Sequence, residues 1–353
     1  MKNNNSKRKK WPVVTAIALI ALLVTHWFTS GPKSPAPPAS VSAEMQESLL
    51  EEKPMRLPLY KLAFKFMSVD RLMDEVAAAN QENVVTAEHL ADTFSVTIEQ
   101  DSIGGINVYW ITPATIDPEH ANHLFVNLHG GGYIMGEGMS GNREAILIAA
   151  HAKIKVLAID YRMPPEHPAP AGLDNVATVW RHLLNTRSAD SIAIGGTSAG
   201  GGLTLGSTQM FKDLGLDLPG ALYVGTPGGD CHKTGDSHFT NEGLDRALVS
   251  WDGVLKIICE DMYPGELGAV HPYVSPLRGE FDNFPPSYLI SGTRDLLLSD
   301  TVLVHRKLRR AGIEADLHVY EGQSHADYIK VWNSPESYEH YAELNAFFLK
   351  HLK

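Results

Sequence analysis

The sequence predicts an α/β class protein with a mostly parallel, doubly wound sheet, and three observations carry that reading. After an opening hairpin, short apolar β-rich runs alternate with amphipathic helical runs to the C terminus, an order that demands crossover connections and parallel strands. The run 124–128 is apolar apart from Asn127, as a strand covered on both faces is. Glycine-rich stretches directly follow two of the strands, where the chain turns from strand toward helix.

The elements follow in order. Residues 1–30 join the basic run Lys7-Arg8-Lys9-Lys10 to an apolar stretch over 11–28, which is an export signature. The stretch is at the short end for crossing a membrane. A retained anchor with its basic end cytoplasmic and a cleaved signal both fit. Residues 31–43 are proline-rich and read as an extended linker without a core. Residues 44–92 read as helical: Leu59, Leu62, Ala63, Phe66 and Met67 recur at helical spacing, as do Leu72, Val76 and Ala79. That pattern serves core packing, a helical cap over a substrate site, or both. From residue 93 the pattern becomes α/β and stays so to residue 353. Strands are expected over 94–99 and 106–112 around Gly104-Gly105, then over 124–128, 156–159, 192–194, 221–224, 287–290 and 315–320. Helices are expected over 143–152, 173–184, 301–311 and 338–349.

Charge removes one class of partner. Residues 1–43 hold six Lys/Arg and no acid, so the remaining chain carries 24 basic against 41 acidic residues. Such a body repels nucleic-acid phosphates. Cys231 and Cys259 are the two cysteines in the sequence, too few for a disulfide scaffold or a zinc site. They read as small buried apolar side chains, with a disulfide as the alternative in an oxidising compartment.

The chemistry gathers around Gly196-Thr197-Ser198-Ala199-Gly200. Strand, Gly-x-Ser-x-Gly and helix together make a tight turn that holds a serine hydroxyl out at the sheet edge, beside a helix N-terminus. His129-Gly130-Gly131-Gly132-Tyr133 follows the buried run 124–128, and glycines there bare main-chain N–H groups where negative charge can develop. A serine needs a base, and the base an orienting acid. Asp295 and His325 stand in loops after the strands 287–290 and 315–320, at the same sheet edge as Ser198. Their competitors fit less well: Asp300 at a helix start reads as a cap, Asp327 is too close to His325 to orient its ring, and His318 lies inside a strand. His129 reads as a brace for the glycine loop, since no partner cluster has metal-ligand spacing.

With these motifs in place the chain resembles the hormone-sensitive-lipase branch of the α/β-hydrolases, often called bacterial family IV esterases. His129-Gly130-Gly131-Gly132, Gly196-Thr197-Ser198-Ala199-Gly200-Gly201 and the segment from Asp160-Tyr161-Arg162 through Pro164-Pro165-Glu166-His167-Pro168 to Ala171 resemble that branch's signatures. The resemblance implies the α/β-hydrolase fold with a helical cap over 44–92. It further implies Ser198, Asp295 and His325 as the catalytic triad, and the N–H groups of Gly131, Gly132 and Ala199 as the oxyanion hole. Three positions depart from the pattern: Thr197 where Asp is commoner, glycines in Thr226-Pro227-Gly228-Gly229-Asp230, and Ala326-Asp327 after the histidine. These bear on the acyl pocket rather than on the triad.

The expected activity is carboxylester hydrolysis on small-molecule esters through an acyl-enzyme, without metal or organic cofactor. Lactone opening by the same machinery is the alternative. A ligand-binding protein resembling the plant gibberellin receptors fits less well, because serine, acid and histidine are all present; peptide or amide hydrolysis is a further reading that fits less well than ester hydrolysis.

Overall fold

A computed structural model describes residues 35–51 and 56–353. The expected signal or anchor over 1–30 lies outside those residues; among the described ones, no helix is long and apolar enough to cross a membrane.

Eight strands form one sheet in the order β1-β2-β4-β3-β5-β6-β7-β8. They are β1 (Thr97–Ile103), β2 (Ile106–Thr112), β3 (Leu124–Leu128), β4 (Lys155–Ile159), β5 (Ile192–Thr197), β6 (Ala221–Gly225), β7 (Ser287–Gly292) and β8 (Ala315–Tyr320). The β1–β2 hairpin is antiparallel and β2 pairs antiparallel with β4; all other pairings are parallel. The α/β reading therefore holds.

Strand side chains alternate between two cores because successive residues face opposite sides of the sheet. Phe125, Tyr223 and Tyr288 join the cluster under α4 (Arg143–Ala152) and α8 (Pro335–His351). Leu124, Val126, Leu222 and Leu289 join the other, under α5 (Ala171–Leu184), α6 (Ala199–Asp213) and α7 (Leu298–Arg310). Burial on both faces explains why β3, β5 and β6 lack an exposed residue.

Before the sheet come α1 (Ala43–Glu51), α2 (Leu57–Lys65) and α3 (Val69–Phe94). Ser68 caps α3 by accepting the Arg71 N–H, and Ser95 in left-handed geometry ends it. The strand expected over 94–99 therefore starts later. Phe94 stays helical because its ring packs edge-on to His151 at 4.9 Å and Trp332 at 5.6 Å.

Two further expectations change. The helical stripe of Leu59, Leu62 and Phe66 faces outward and is exposed, whereas Tyr60 and Phe64 between them turn inward. The segment 31–43 reads as free of any core, yet from Ala36 onward it is docked. Arg294 donates to the Ala36 carbonyl at 2.9 Å, and Ser42 donates its N–H and hydroxyl to Glu336, both at 2.7 Å. Val41 and Met45 then bury against Val331.

Candidate active site

Six parallel strands, β3 to β8, point their carboxyl ends at one edge of the sheet, and five of the loops that leave there carry the candidate residues. After β3 comes the glycine loop, after β5 Ser198, after β6 Thr226, after β7 Asp295 and after β8 His325. Ligands in open α/β sheets bind outside that edge.

Ser198 sits between β5 and α6 with φ 64° and ψ −121°, a conformation costly for a residue with a Cβ. Its neighbours hold it. The Ser198 N–H donates to Gly225 O at 2.8 Å, and its carbonyl accepts from Gly202 N at 3.0 Å. The flanking glycines are required by approach: a Cβ on Gly196 or Gly200 would run into the carbonyl oxygen of Leu128 at the end of β3.

The glycine loop lies against this turn, with Thr197 O 2.8 Å from where a Gly130 Cβ would stand. Gly131 has φ 112° and Gly132 φ 63°. Among the described residues, the N–H groups of Gly131, Gly132 and Ala199 donate no hydrogen bond to the chain. His129 anchors the loop from beneath: its ring stacks on Tyr161 at 4.1 Å, and Tyr161 Oη donates to the His129 carbonyl at 2.7 Å. Burial holds the His129 imidazole below its ordinary pKa. Asp160 accepts from Gly138 N at 3.0 Å. The Asp160-Tyr161 pair thus supports the glycine loop, a role the sequence did not disclose.

Asp295 and His325 meet, with Nδ1 3.2 Å from Oδ1. Asp295 is fully buried, and its carboxylate also accepts from Leu297 N at 2.8 Å, Ser291 Oγ at 3.2 Å and Thr226 Oγ1. Burial alone would lower the His325 pKa, but the charge and hydrogen bond of Asp295, with Asp245 and Asp327 behind it, outweigh that and raise it. His325 and Ser198 line one cavity of about 640 Å³, with Gly131 and Gly132. The cavity wall is mostly apolar: Tyr60 and Phe64 of α2, Leu72 and Val76 of α3, and Leu255 and Ile258 from the segment after β6.

The competing residues have other partners. Asp300 is not a cap, because α7 begins before it; it is fully buried, accepts Gly229 N at 3.0 Å and lies 3.3 Å from His238 Nε2. Asp327 accepts Ser324 N at 2.7 Å and pairs with Arg246 at 2.8 Å. His318 pairs with Glu343 at 2.9 Å. Among the described residues, no cluster of three or more His, Cys, Asp or Glu is placed to hold a metal ion.

Sequence reasoning missed three supports. Thr226 bridges the pair, its Oγ1 donating to Asp295 and lying 3.4 Å from His325 Nδ1. Glu144 lies beneath the Ser198 turn and accepts from Thr197 N at 3.1 Å, Thr197 Oγ1 at 2.5 Å and Tyr223 Oη at 2.9 Å. Burial pushes the Glu144 carboxyl up to about 7 against those donors. Asp245 accepts Leu296 N at 2.8 Å beside Asp295, and burial together with the Asp295 charge pushes it up to about 6.

Comparison with known proteins bears on this arrangement. The family model described as the alpha/beta hydrolase fold matches residues 125–329. The chain is 29% identical over 212 residues to an acetyl-hydrolase of Streptomyces hygroscopicus, covering 60% of this chain and 69% of that protein. It is 27% identical to an esterase of Acinetobacter venetianus, covering 64% and 75% of the two. A solved esterase structure superposes with TM-score 0.86 at 43% identity, covering 92% of this chain and 98% of the other. An esterase of the bacterial hormone-sensitive lipase family superposes with TM-score 0.70 at 27% identity, covering 81% and all of the other chain.

Proposed function

The chain belongs to the α/β-hydrolase fold family and is similar to its hormone-sensitive-lipase branch, and from that membership we propose that it hydrolyses short- to medium-chain carboxylic esters through Ser198, His325 and Asp295. The observation that carries the proposal is that His325, paired with the buried Asp295 at 3.2 Å, lines the same cavity as Ser198. The relatives are esterases and acetyl-hydrolases, which supports ester hydrolysis as the reaction type.

In this mechanism His325 takes the Ser198 proton as the oxygen attacks the ester carbonyl. Asp295 holds the imidazole in the tautomer with Nε2 free and stabilises the cation that forms. The N–H groups of Gly131, Gly132 and Ala199 receive the oxyanion, which is supported by their lack of partners among the described residues. His325 then protonates the leaving alcohol, and water repeats the sequence on the acyl-enzyme. The α2 and α3 side chains that line the cavity act as a cap that excludes water and receives the apolar acyl chain. Lactones would enter the same site. The cavity gives no reason to prefer them, so open-chain esters are the primary reading.

The proposal includes an address. The basic run and apolar stretch of residues 1–30 direct the catalytic body across the cytoplasmic membrane, as a retained anchor or a cleaved signal. A reporter fused after Ser40 is then active only on the far side.

Turnover of a panel of p-nitrophenyl esters and lactones by the whole protein, beside Ser198→Ala, tests the reaction. Faster turnover of the short- and medium-chain esters, abolished in Ser198→Ala, is the expected result; no ester turnover by the native protein would overturn the proposal.

A further inference from the structure

Cys231 and Cys259 are 28 positions apart in the chain yet meet in the fold, with their Sγ atoms 2.7 Å apart. Cys259 belongs to a segment that lines the active-site cavity through Ile258, and Cys231 to the loop that carries Thr226. Cys231 ends the loop that leaves β6 through Thr226, and its N–H is fixed by Ser275 Oγ at 2.8 Å. Cys259 lies in the single wide helical turn Ile258–Met262. The residue before it, Ile258, lines the cavity and stands 2.7 Å from where a Gly132 Cβ would be. Both thiols are mostly buried, but they line a second cavity of about 670 Å³ with Trp251, Lys256 and Met262, which gives a small reagent a way in.

We propose that Cys231 and Cys259 are the site of an intramolecular disulfide that ties the segment carrying Ile258 to the loop carrying Thr226. A bonded pair of sulfurs is ~2.05 Å apart, so an approach of less than ~1 Å from the observed 2.7 Å forms the bond. The oxidant is a small-molecule disulfide. One protein thiolate attacks it and releases one thiol; the second protein thiolate attacks the protein sulfur of the mixed disulfide and releases the other. The two protein thiols lose two electrons and two protons in all, and one small disulfide becomes two thiols. The hydrogen bond to Cys231, together with burial, pushes the Cys259 thiol well up, so thiolate is scarce at neutral pH and exchange is slow. An oxidising compartment, as the export signature of residues 1–30 implies, is where the bond persists. The inference does not depend on the reaction catalysed.

The test uses the whole protein, reduced and then exposed to oxidised glutathione at about pH 8.5 to supply thiolate. Remaining thiols are then blocked with N-ethylmaleimide and the peptides mapped without reduction. The expected product is a Cys231–Cys259 cross-linked peptide, lighter by two hydrogens than the two thiol peptides. The oxidised protein should melt roughly 5 °C above the reduced one, and Cys259→Ala and Cys231→Ala should each abolish that difference; if one variant fails to fold, the other serves. Both cysteines remaining open to N-ethylmaleimide, a persistent glutathione adduct, or disulfide-linked dimers would each overturn the inference.

Discussion

The hydroxyl of Thr226 donates to Oδ2 of Asp295, on the side of the carboxylate opposite the one that faces His325. The aspartate is thereby clamped between the end of β6 and its own loop, and the imidazole inherits its orientation from that clamp. Thr226→Val keeps the shape and removes the donor. Loss of a hydrogen bond to a charged group is worth about 1.5–3 kcal/mol, so kcat/KM should fall about 10-fold or more, and Thr226→Ser should restore most of it. Steady-state kinetics decide; a Thr226→Val enzyme within about two-fold of native would show that Asp295 needs no such clamp.

The pH profile follows from the raised His325. The imidazole must be neutral to take a proton, and it is protonated below its pKa. Asp295, Asp245 and Asp327 lift that pKa above 6.5, so the acid limb of kcat/KM, which reports the free enzyme, should have its midpoint above 6.5. Asp295→Asn should move the limb down while lowering the rate. A native midpoint at or below 6.5 would show that the three carboxylates do not outweigh burial at His325.

Glu144 links pH to stability. Its carboxyl is raised from 4.5 to about 7, so the folded state holds a proton that the unfolded state releases. The stabilisation is full below 4.5 and is lost as pH rises through about 7, a change on the order of 3 kcal/mol. Urea unfolding of the native protein at about pH 5 and about pH 8 should show that decline, and Glu144→Gln should flatten it. An equal decline in the variant would assign it to other groups, such as Asp245, which burial also raises.

Gly200 tests the elbow as a piece of packing. Gly200→Ala places a methyl group against the Leu128 carbonyl, where neither backbone can retreat without moving β3 or α6. Overpacking of this kind costs about 1–3 kcal/mol or more. The variant should melt several degrees lower or fail to accumulate. An unchanged melting temperature would mean that the turn is looser than described.

Much of this was legible in the sequence because the signals are local. The run 124–128, the hairpin glycines and the alternation after residue 93 are patterns of neighbours, and β2, β3, α4 and β8 begin and end where their periodicity places them. Ser198, Asp295 and His325 stand out in the sequence because each follows a strand, and parallel strands share an edge. What was not legible depends on contacts across the fold. Glu144 in the first turn of α4 reads as an acid that suits a helix N-terminus, and nothing nearby shows that it reaches Thr197, 53 positions on. Thr226 has no motif. The outward turn of Leu59, Leu62 and Phe66 is set by which face of α2 meets the cavity, and that depends on Tyr60 donating to the Leu248 carbonyl at 3.1 Å. Segment 36–43 reads as free because its partners, Arg294 and Glu336, lie 258 and 294 positions away from the groups they bind.

The most direct measurement of the central claim is covalent capture of the nucleophile. The whole protein, treated with a fluorophosphonate ester and mapped by mass spectrometry, should gain one phosphonyl group, on Ser198, with loss of esterase activity in proportion to labelling. Ser198→Ala should take up no label and lose about 10⁴- to 10⁶-fold in turnover. Labelling at another serine, or native turnover in Ser198→Ala, would contradict the account.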